Sequence, residues 1–128
     1  MEATPARGAR ILLVDDEPDQ REMYRFGLEH AGFTVDEAVN GADALTHARS
    51  VPPDLIVLDL RLPDIDGWEV CRLLKADLQT SRIPIVILTA TPNPTHAERA
   101  RGAGCAAYLL KPCLPEDLAQ TVRRILSL

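Results

Sequence analysis

Four stretches of this chain that read as strands stop on residues able to do chemistry. The apolar run 55–58, Leu-Ile-Val-Leu, ends in Asp59, and the run 11–14 ends in Asp15-Asp16-Glu17. The run 83–88 ends in Thr89-Ala90, and the stretch 105–110 ends in Lys111-Pro112. An acid at the carboxyl end of a buried parallel strand stands at the rim of the sheet, where open α/β sheets bind ligands. Carboxylates crowded at one rim repel one another unless positive charge sits among them. Hard oxygen donors contributed by few protein groups suit Mg²⁺, which keeps several of its waters. Lys111 supplies a second, fixed cation and Thr89 a hydroxyl donor. A carboxylate nucleophile, a divalent ion, a lysine and a hydroxyl meet the needs of phosphoryl transfer, which asks for positioning and charge neutralisation. In that chemistry Asp59 attacks phosphorus and carries it as an aspartyl-phosphate.

The elements that must position these residues are legible from apolar patterning. Each run is too short for a helix and fits a strand buried on both faces. Pro18 suits the first turn of a helix, on which Met23, Phe26, Gly27, His30 and Ala31 fall at helical spacing before Gly32 stops it. The stretch 33–38 mixes β-branched residues with acids and reads as a less buried strand. Asn40-Gly41 turns into a helix with Ala44, Leu45 and Ala48 on one face, closed by Pro52-Pro53 because residues before proline avoid helical angles. A helix over 67–75 turns Val70, Leu73 and Leu74 inward, and Cys71 packs there as a small hydrophobe. Pro84 sits early in the fourth strand, where a donor can be spared. A short helix spans 96–101, Gly102 and Gly104 end it, and the last helix carries Leu118, Val122, Ile125 and Leu126 as its stripe. Strands alternating with helices predict a parallel sheet covered on both faces. Right-handed crossovers in a doubly wound order put the switch point between the first and third strands.

Composition narrows the class. The chain of 128 residues suits one domain with a real core. Its net charge of −5, with no basic stretch beyond single arginines and Arg123-Arg124, argues against direct nucleic-acid binding. No apolar run approaches the roughly 20 residues of a membrane span, and residues 1–10 lack a signal-peptide core, so the expected location is cytoplasmic. Cys71, Cys105 and Cys113 are odd in number and form no CxxC spacing, so neither a disulfide framework nor a zinc site is expected. His30, His47 and His96 are scattered and read as surface or helix-end residues.

The chain resembles the receiver domains of bacterial two-component response regulators, chemotaxis-regulator-like in extent. The matching residues are Asp15-Asp16, Asp59 with Leu62-Pro63-Asp64 and Asp66-Gly67, Thr89-Ala90, and Tyr108 with Lys111-Pro112. The resemblance runs from about residue 11 to the end and implies a flavodoxin-like α/β fold. That fold is a doubly wound five-stranded parallel sheet of order 2-1-3-4-5 with five helices. It divides the chain into a flexible lead-in, 1–9, and a receiver domain, 10–128. It further implies Asp59 as the phosphoacceptor, and Asp15, Asp16, Asp59 and the carbonyl of Arg61 around Mg²⁺, with Asp15 acting through water. Thr89 and Lys111 would contact the phosphoryl group, Thr89 and Tyr108 would form the switch, and the peptide bond before Pro112 would be cis. The phosphoryl donor would be a sensor histidine kinase or a histidine phosphotransfer protein, and the output a downstream protein target. Such a domain is a signalling device and not an enzyme, catalysing only its own phosphorylation and dephosphorylation.

Three stretches depart from the family pattern. Cys113 stands where Phe is frequent, and Pro92 and Pro94 stiffen the loop after Thr89. Cys105-Ala106-Ala107 lacks the acids of the subfamily that dimerises through its last two helices and fifth strand. That face is therefore expected to dock a different protein. If the chain is complete, its signal leaves through such surface contacts; a domain cut from a longer regulator would look the same. Two other readings compete. A haloacid-dehalogenase-type phosphatase also uses an aspartyl nucleophile, but its DxDx[TV] motif is met only by Asp64-Ile65-Asp66-Gly67, in a loop and without a cap domain. A pseudo-receiver would act as a constitutive interaction module without phosphorylation.

Overall fold

The computed structural model describes residues 8–128. Strands and helices alternate as β1 (Arg10–Val14), α1 (Pro18–His30), β2 (Thr34–Ala38), α2 (Gly41–Ser50) and β3 (Leu55–Leu58). They continue as α3 (Gly67–Ala76), β4 (Ile85–Thr89), α4 (His96–Gly102), β5 (Ala107–Leu110) and α5 (Pro115–Leu126). The sheet has the order β2-β1-β3-β4-β5, and every neighbouring pair is parallel. This is the doubly wound, flavodoxin-like order, with its crevice where the winding reverses between β1 and β3. Among the described residues no helix is long and apolar enough to cross a membrane.

The apolar runs are continuous because the sheet has a core on each side. Alternate residues of β1, β3 and β4 point to opposite faces. Leu12, Val14, Ile56, Leu58, Ile85 and Ile87 pack with Ala44, Ala48, Val70 and Leu74 from α2 and α3. Ile11, Leu13, Leu55, Val57, Val86 and Leu88 pack with Tyr24, Leu28, Leu118 and Val122 from α1 and α5.

Most local signals act where the sequence puts them. Pro18 opens α1, Gly32 takes φ 104° after it, and Asn40 caps α2 by accepting from the Asp43 N–H. Differences appear where tertiary contacts decide. The buried line of α1 carries Tyr24 and Leu28, whereas Met23 and Phe26 are 44% and 71% exposed. Both lines have helical spacing; α1 turns inward the one whose Tyr24 and Leu28 pack with Leu118 and Val122 of α5, and Gly27, shared by both lines, lets Pro115 of α5 approach where a Cβ would clash. β4 begins after Pro84 and includes Thr89. β5 is shorter than 105–110, because the Cys105 N–H is taken by Ala100 O in the exit of α4, and Gly104 turns at φ 83°. Residues 1–7 of the expected lead-in lie outside the described residues. Ala9 is buried, and its carbonyl accepts from the Thr34 N–H at 2.9 Å.

Candidate functional site

Parallel strands deliver their carboxyl ends to one edge, and there β1, β3, β4 and β5 bring Asp15, Asp59, Thr89 and Lys111 together. Asp15 and Asp59 follow the last paired residues of their strands, Val14 and Leu58, which are themselves partners. The Asp59 N–H donates to Val14 O at 3.1 Å, which ties the two strand ends at the rim. Carboxylate oxygens of Asp15, Asp16 and Asp59 lie within 4.8 Å of one another. Asp15 and Asp59 are only 2% and 8% exposed, and Asp16 faces solvent.

Lys111 neutralises the buried part of this cluster. Its ammonium donates to Asp15 Oδ2 at 2.9 Å, to Asp59 Oδ2 at 3.2 Å and to Gln20 Oε1 at 2.5 Å. Burial alone pulls the Lys111 pKa down, but the hydrogen bond to Asp15 and the charges of Asp59 and Asp15 outweigh it and hold it above its ordinary value. Lys111 is therefore a fixed cation. The remaining carboxylate oxygens are held by backbone donors: Glu17 N–H on Asp15 Oδ1 at 2.9 Å, and Arg61 N–H on Asp59 Oδ1 at 3.1 Å. Arg61 itself is exposed. The Lys111–Pro112 bond is cis, as the resemblance implied.

The donor set fits a hard divalent cation: three carboxylates supply oxygen ligands only, two of them recessed and one open to water. The lysine offsets part of their charge without filling the cluster.

The loop between β3 and α3 holds this rim in shape. Gly67 packs so closely on it that a Cβ would lie 2.5 Å from Leu60 Cα and 2.8 Å from Asp59 O. Asp64 accepts from the Gly41 and Ala42 N–H groups at 2.8 and 2.9 Å, and Asp66 caps α3 through the Trp68 N–H. Both acids therefore serve helix N-termini, which removes the pair from the phosphatase reading.

Thr89 is fully buried, two residues beyond Ile87, the partner of Leu58. Its Oγ1 accepts from the Thr91 N–H at 3.4 Å, and Thr91 O accepts from the Tyr108 hydroxyl at 3.4 Å. Thr91 thus links Thr89 to Tyr108. The half-buried Tyr108 ring meets His96 edge-on with centroids 6.1 Å apart, and His96 meets Trp68 likewise at 5.5 Å. His96 does begin a helix, but it is buried and not a surface residue.

Sequence reasoning missed Gln20, Tyr24 and Thr91. Gln20 had a weak signal, since a residue in the first turn after Asp15-Asp16 must overhang the rim. Tyr24 had none: its hydroxyl donates to Cys113 O, 89 residues away, at 2.9 Å, and braces the segment after Lys111.

Comparison with known proteins agrees with this geometry. The family model for the response regulator receiver domain matches residues 11–123. The DNA-binding response regulator MtrA of Mycolicibacterium smegmatis is 41% identical over 114 residues, covering 89% of this chain and 49% of that protein. Protein PilH of Pseudomonas aeruginosa is 37% identical over 121 residues, covering 93% of this chain and 98% of PilH. A crystal structure of a putative response regulator from Chloroflexus aurantiacus superposes with a TM-score of 0.88 at 33% identity, covering 94% of this chain and 99% of that one. The chain spans about half the length of MtrA.

Proposed function

The chain belongs to the response regulator receiver domain family, and from that premise we propose that it is a phosphorylation-driven switch whose acceptor is Asp59. The observation that carries this reading is the convergence of Lys111 on Asp15 and Asp59 at the carboxyl edge of the sheet.

The Asp59 carboxylate attacks phosphorus in line with the bond to the leaving group; the new O–P bond forms as the donor's bond breaks. Lys111, already charged and held by neighbouring carboxylates, sits where it can pair with an oxygen of the incoming phosphoryl group. Asp15, Asp16, Asp59 and the Arg61 carbonyl would hold Mg²⁺. When bound, the ion supplies charge neutralisation for the transferred oxygens. Thr89 donates its hydroxyl to the phosphoryl group, giving up its contact with Thr91. Because Thr91 also holds the Tyr108 hydroxyl, that rearrangement reaches the fifth strand. Phosphorylation acts as a bias between two arrangements, through its differential affinity for them.

The phosphoryl donor is a sensor histidine kinase or a histidine phosphotransfer protein in the cytoplasm, and the output is a protein target docking near α4, β5 and α5. The net charge of −5 supports a domain that does not itself contact nucleic acid. Receiver domains are signalling modules, and the only catalysis proposed here is of Asp59's own phosphorylation and dephosphorylation. The pseudo-receiver reading loses ground because the acids and Lys111 are not only present but assembled.

Acetyl phosphate with Mg²⁺ should add one phosphate to the wild-type chain and none to Asp59→Asn, read by intact mass. Equal labelling of the two proteins would overturn the assignment.

A further inference from the structure

Outside the rim, two cysteines distant in sequence meet in the core. Cys71 Sγ and Cys105 Sγ are 3.2 Å apart, 34 residues removed from one another along the chain. We propose that Cys71 and Cys105 are a reversible redox pair, whose disulfide ties α3 to the segment leading into β5.

The separation exceeds a disulfide bond of about 2.05 Å by little more than about 1 Å. Cys71 is fixed within α3 and completely buried, so the adjustment falls to Cys105. Cys105 lies in the short connection between α4 and β5, directly after Gly104 at φ 83°, and not in a paired strand. A backbone of that kind yields more readily than a helix or a ladder. Cys105 also lines a surface groove of about 280 Å³, together with Ala97, Ala100, Arg101 and Tyr108, which gives a small oxidant a route to its sulfur. Cys113 packs against the opposite core, so within one chain only one pairing is available.

The two sulfurs take different roles. Cys105 is the one the groove reaches, while the hydrogen bond between the sulfurs and the Lys75 charge draw the buried Cys71 thiol below its ordinary pKa against the effect of burial, which readies it to attack an oxidised partner. Lys75 is anchored there by donating to Ser81 O and Ile83 O at 3.2 and 3.1 Å. With hydrogen peroxide as oxidant, Cys105 sulfur attacks one oxygen and the O–O bond breaks. The departing hydroxide takes the thiol proton and leaves as water, giving a sulfenic acid. Cys71 sulfur then attacks Cys105 sulfur, the S–O bond breaks, and the second hydroxide leaves as water with the Cys71 proton. In sum two thiols lose two electrons and two protons, and one peroxide is reduced to two waters. A thiol reductant reverses the bond by exchange. In a reducing compartment such a bond forms only transiently, as expected of a sensor and not of a structural staple.

The tied segment leads into Tyr108. Restraint of that residue by oxidation rests on the switch proposed above; the disulfide itself does not.

The test treats the reduced full chain with peroxide, denatures it, alkylates the remaining thiols and maps peptides without reduction. The expected result is a monomer lighter by two hydrogens, alkylated only at Cys113, with a peptide cross-link joining Cys71 to Cys105 that dithiothreitol removes. Cys113→Ser should retain the cross-link and Cys105→Ser should lose it. Mapping of the wild-type chain needs no variant, so a poorly folding Cys71 substitution does not matter. Hydrogen exchange across α4 and β5 should slow in the oxidised form relative to the reduced one. Three alkylated cysteines under peroxide that oxidises free glutathione, pairing through Cys113, or unchanged exchange in the cross-linked chain would each overturn the proposal. None of these readouts requires phosphate, so their failure would leave the Asp59 assignment standing.

Discussion

The Lys111 ammonium and the Asp15 carboxylate meet at 2.9 Å with side chains only 7% and 3% exposed, although 96 residues separate them. A pair this recessed is asymmetric in its energetics. Together the charges satisfy each other, whereas removing one leaves the other buried without a partner.

Lys111→Met should therefore destabilise the fold in metal-free buffer by about 3 kcal/mol, the usual scale for breaking a buried pair. Added Mg²⁺ should raise the melting temperature of the variant more than that of the wild type, because the cation takes over charge the lysine had balanced. The pH dependence has a definite sign. The folded pKa of Lys111 is raised, so its contribution is complete below the unfolded value of about 10.4. It disappears as pH rises through the higher folded value. Melting curves from neutral pH upward should show a constant gap between the two proteins until that alkaline window.

Thr89→Ala should accept phosphate yet transmit it poorly. The substitution removes the hydroxyl that accepts from the Thr91 N–H, with a stability loss of about 1 kcal/mol. Labelled at Asp59 by acetyl phosphate, the variant should show a much smaller change in the NMR signals of Tyr108 and β5 than the wild type. A full-sized change would separate Tyr108 from Thr89.

Arg61→Ala should shorten the life of the phosphorylated state. The backbone of Arg61 holds Asp59 and remains in the variant, while the exposed side chain that can lean over the phosphoryl oxygens is lost. One charge-assisted contact of about 1.4 kcal/mol corresponds to about a tenfold change in rate, which sets the upper scale. Identical decay of radiolabelled wild type and variant would assign the side chain to solvent alone.

Asp64→Ala should lower the melting temperature by freeing the first N–H groups of α2. The donors on Ala42 and Gly41 hold the Asp64 carboxyl below the usual carboxylate range. Its contribution is thus complete above about pH 4 and fades as pH falls through the lowered value. Thermal melts should show the two proteins converging in acid and separated at neutral pH.

The sequence alone determined the architecture and the location of the rim. Runs such as 55–58 are apolar at every position because both faces of the sheet are covered, and that pattern demands parallel strands with crossovers. Parallel strands place every carboxyl end on one edge, so Asp15, Asp59, Thr89 and Lys111 were bound to meet without any knowledge of side-chain contacts. Periodicity could go no further. It placed Met23 and Phe26 at helical spacing as readily as Tyr24 and Leu28, and the choice went to the pair that packs with Leu118 and Val122 of α5. It read Asp64 as one more acid of the loop, whereas the start of α2 turns it into a cap. Gln20 on Lys111 has only its place in the first turn after Asp15-Asp16, and Tyr24 on Cys113 and Cys71 beside Cys105 have no signature at all in the linear chain. Local patterns record which way a residue faces, but what it faces depends on how distant elements pack, and only the tertiary structure decides that.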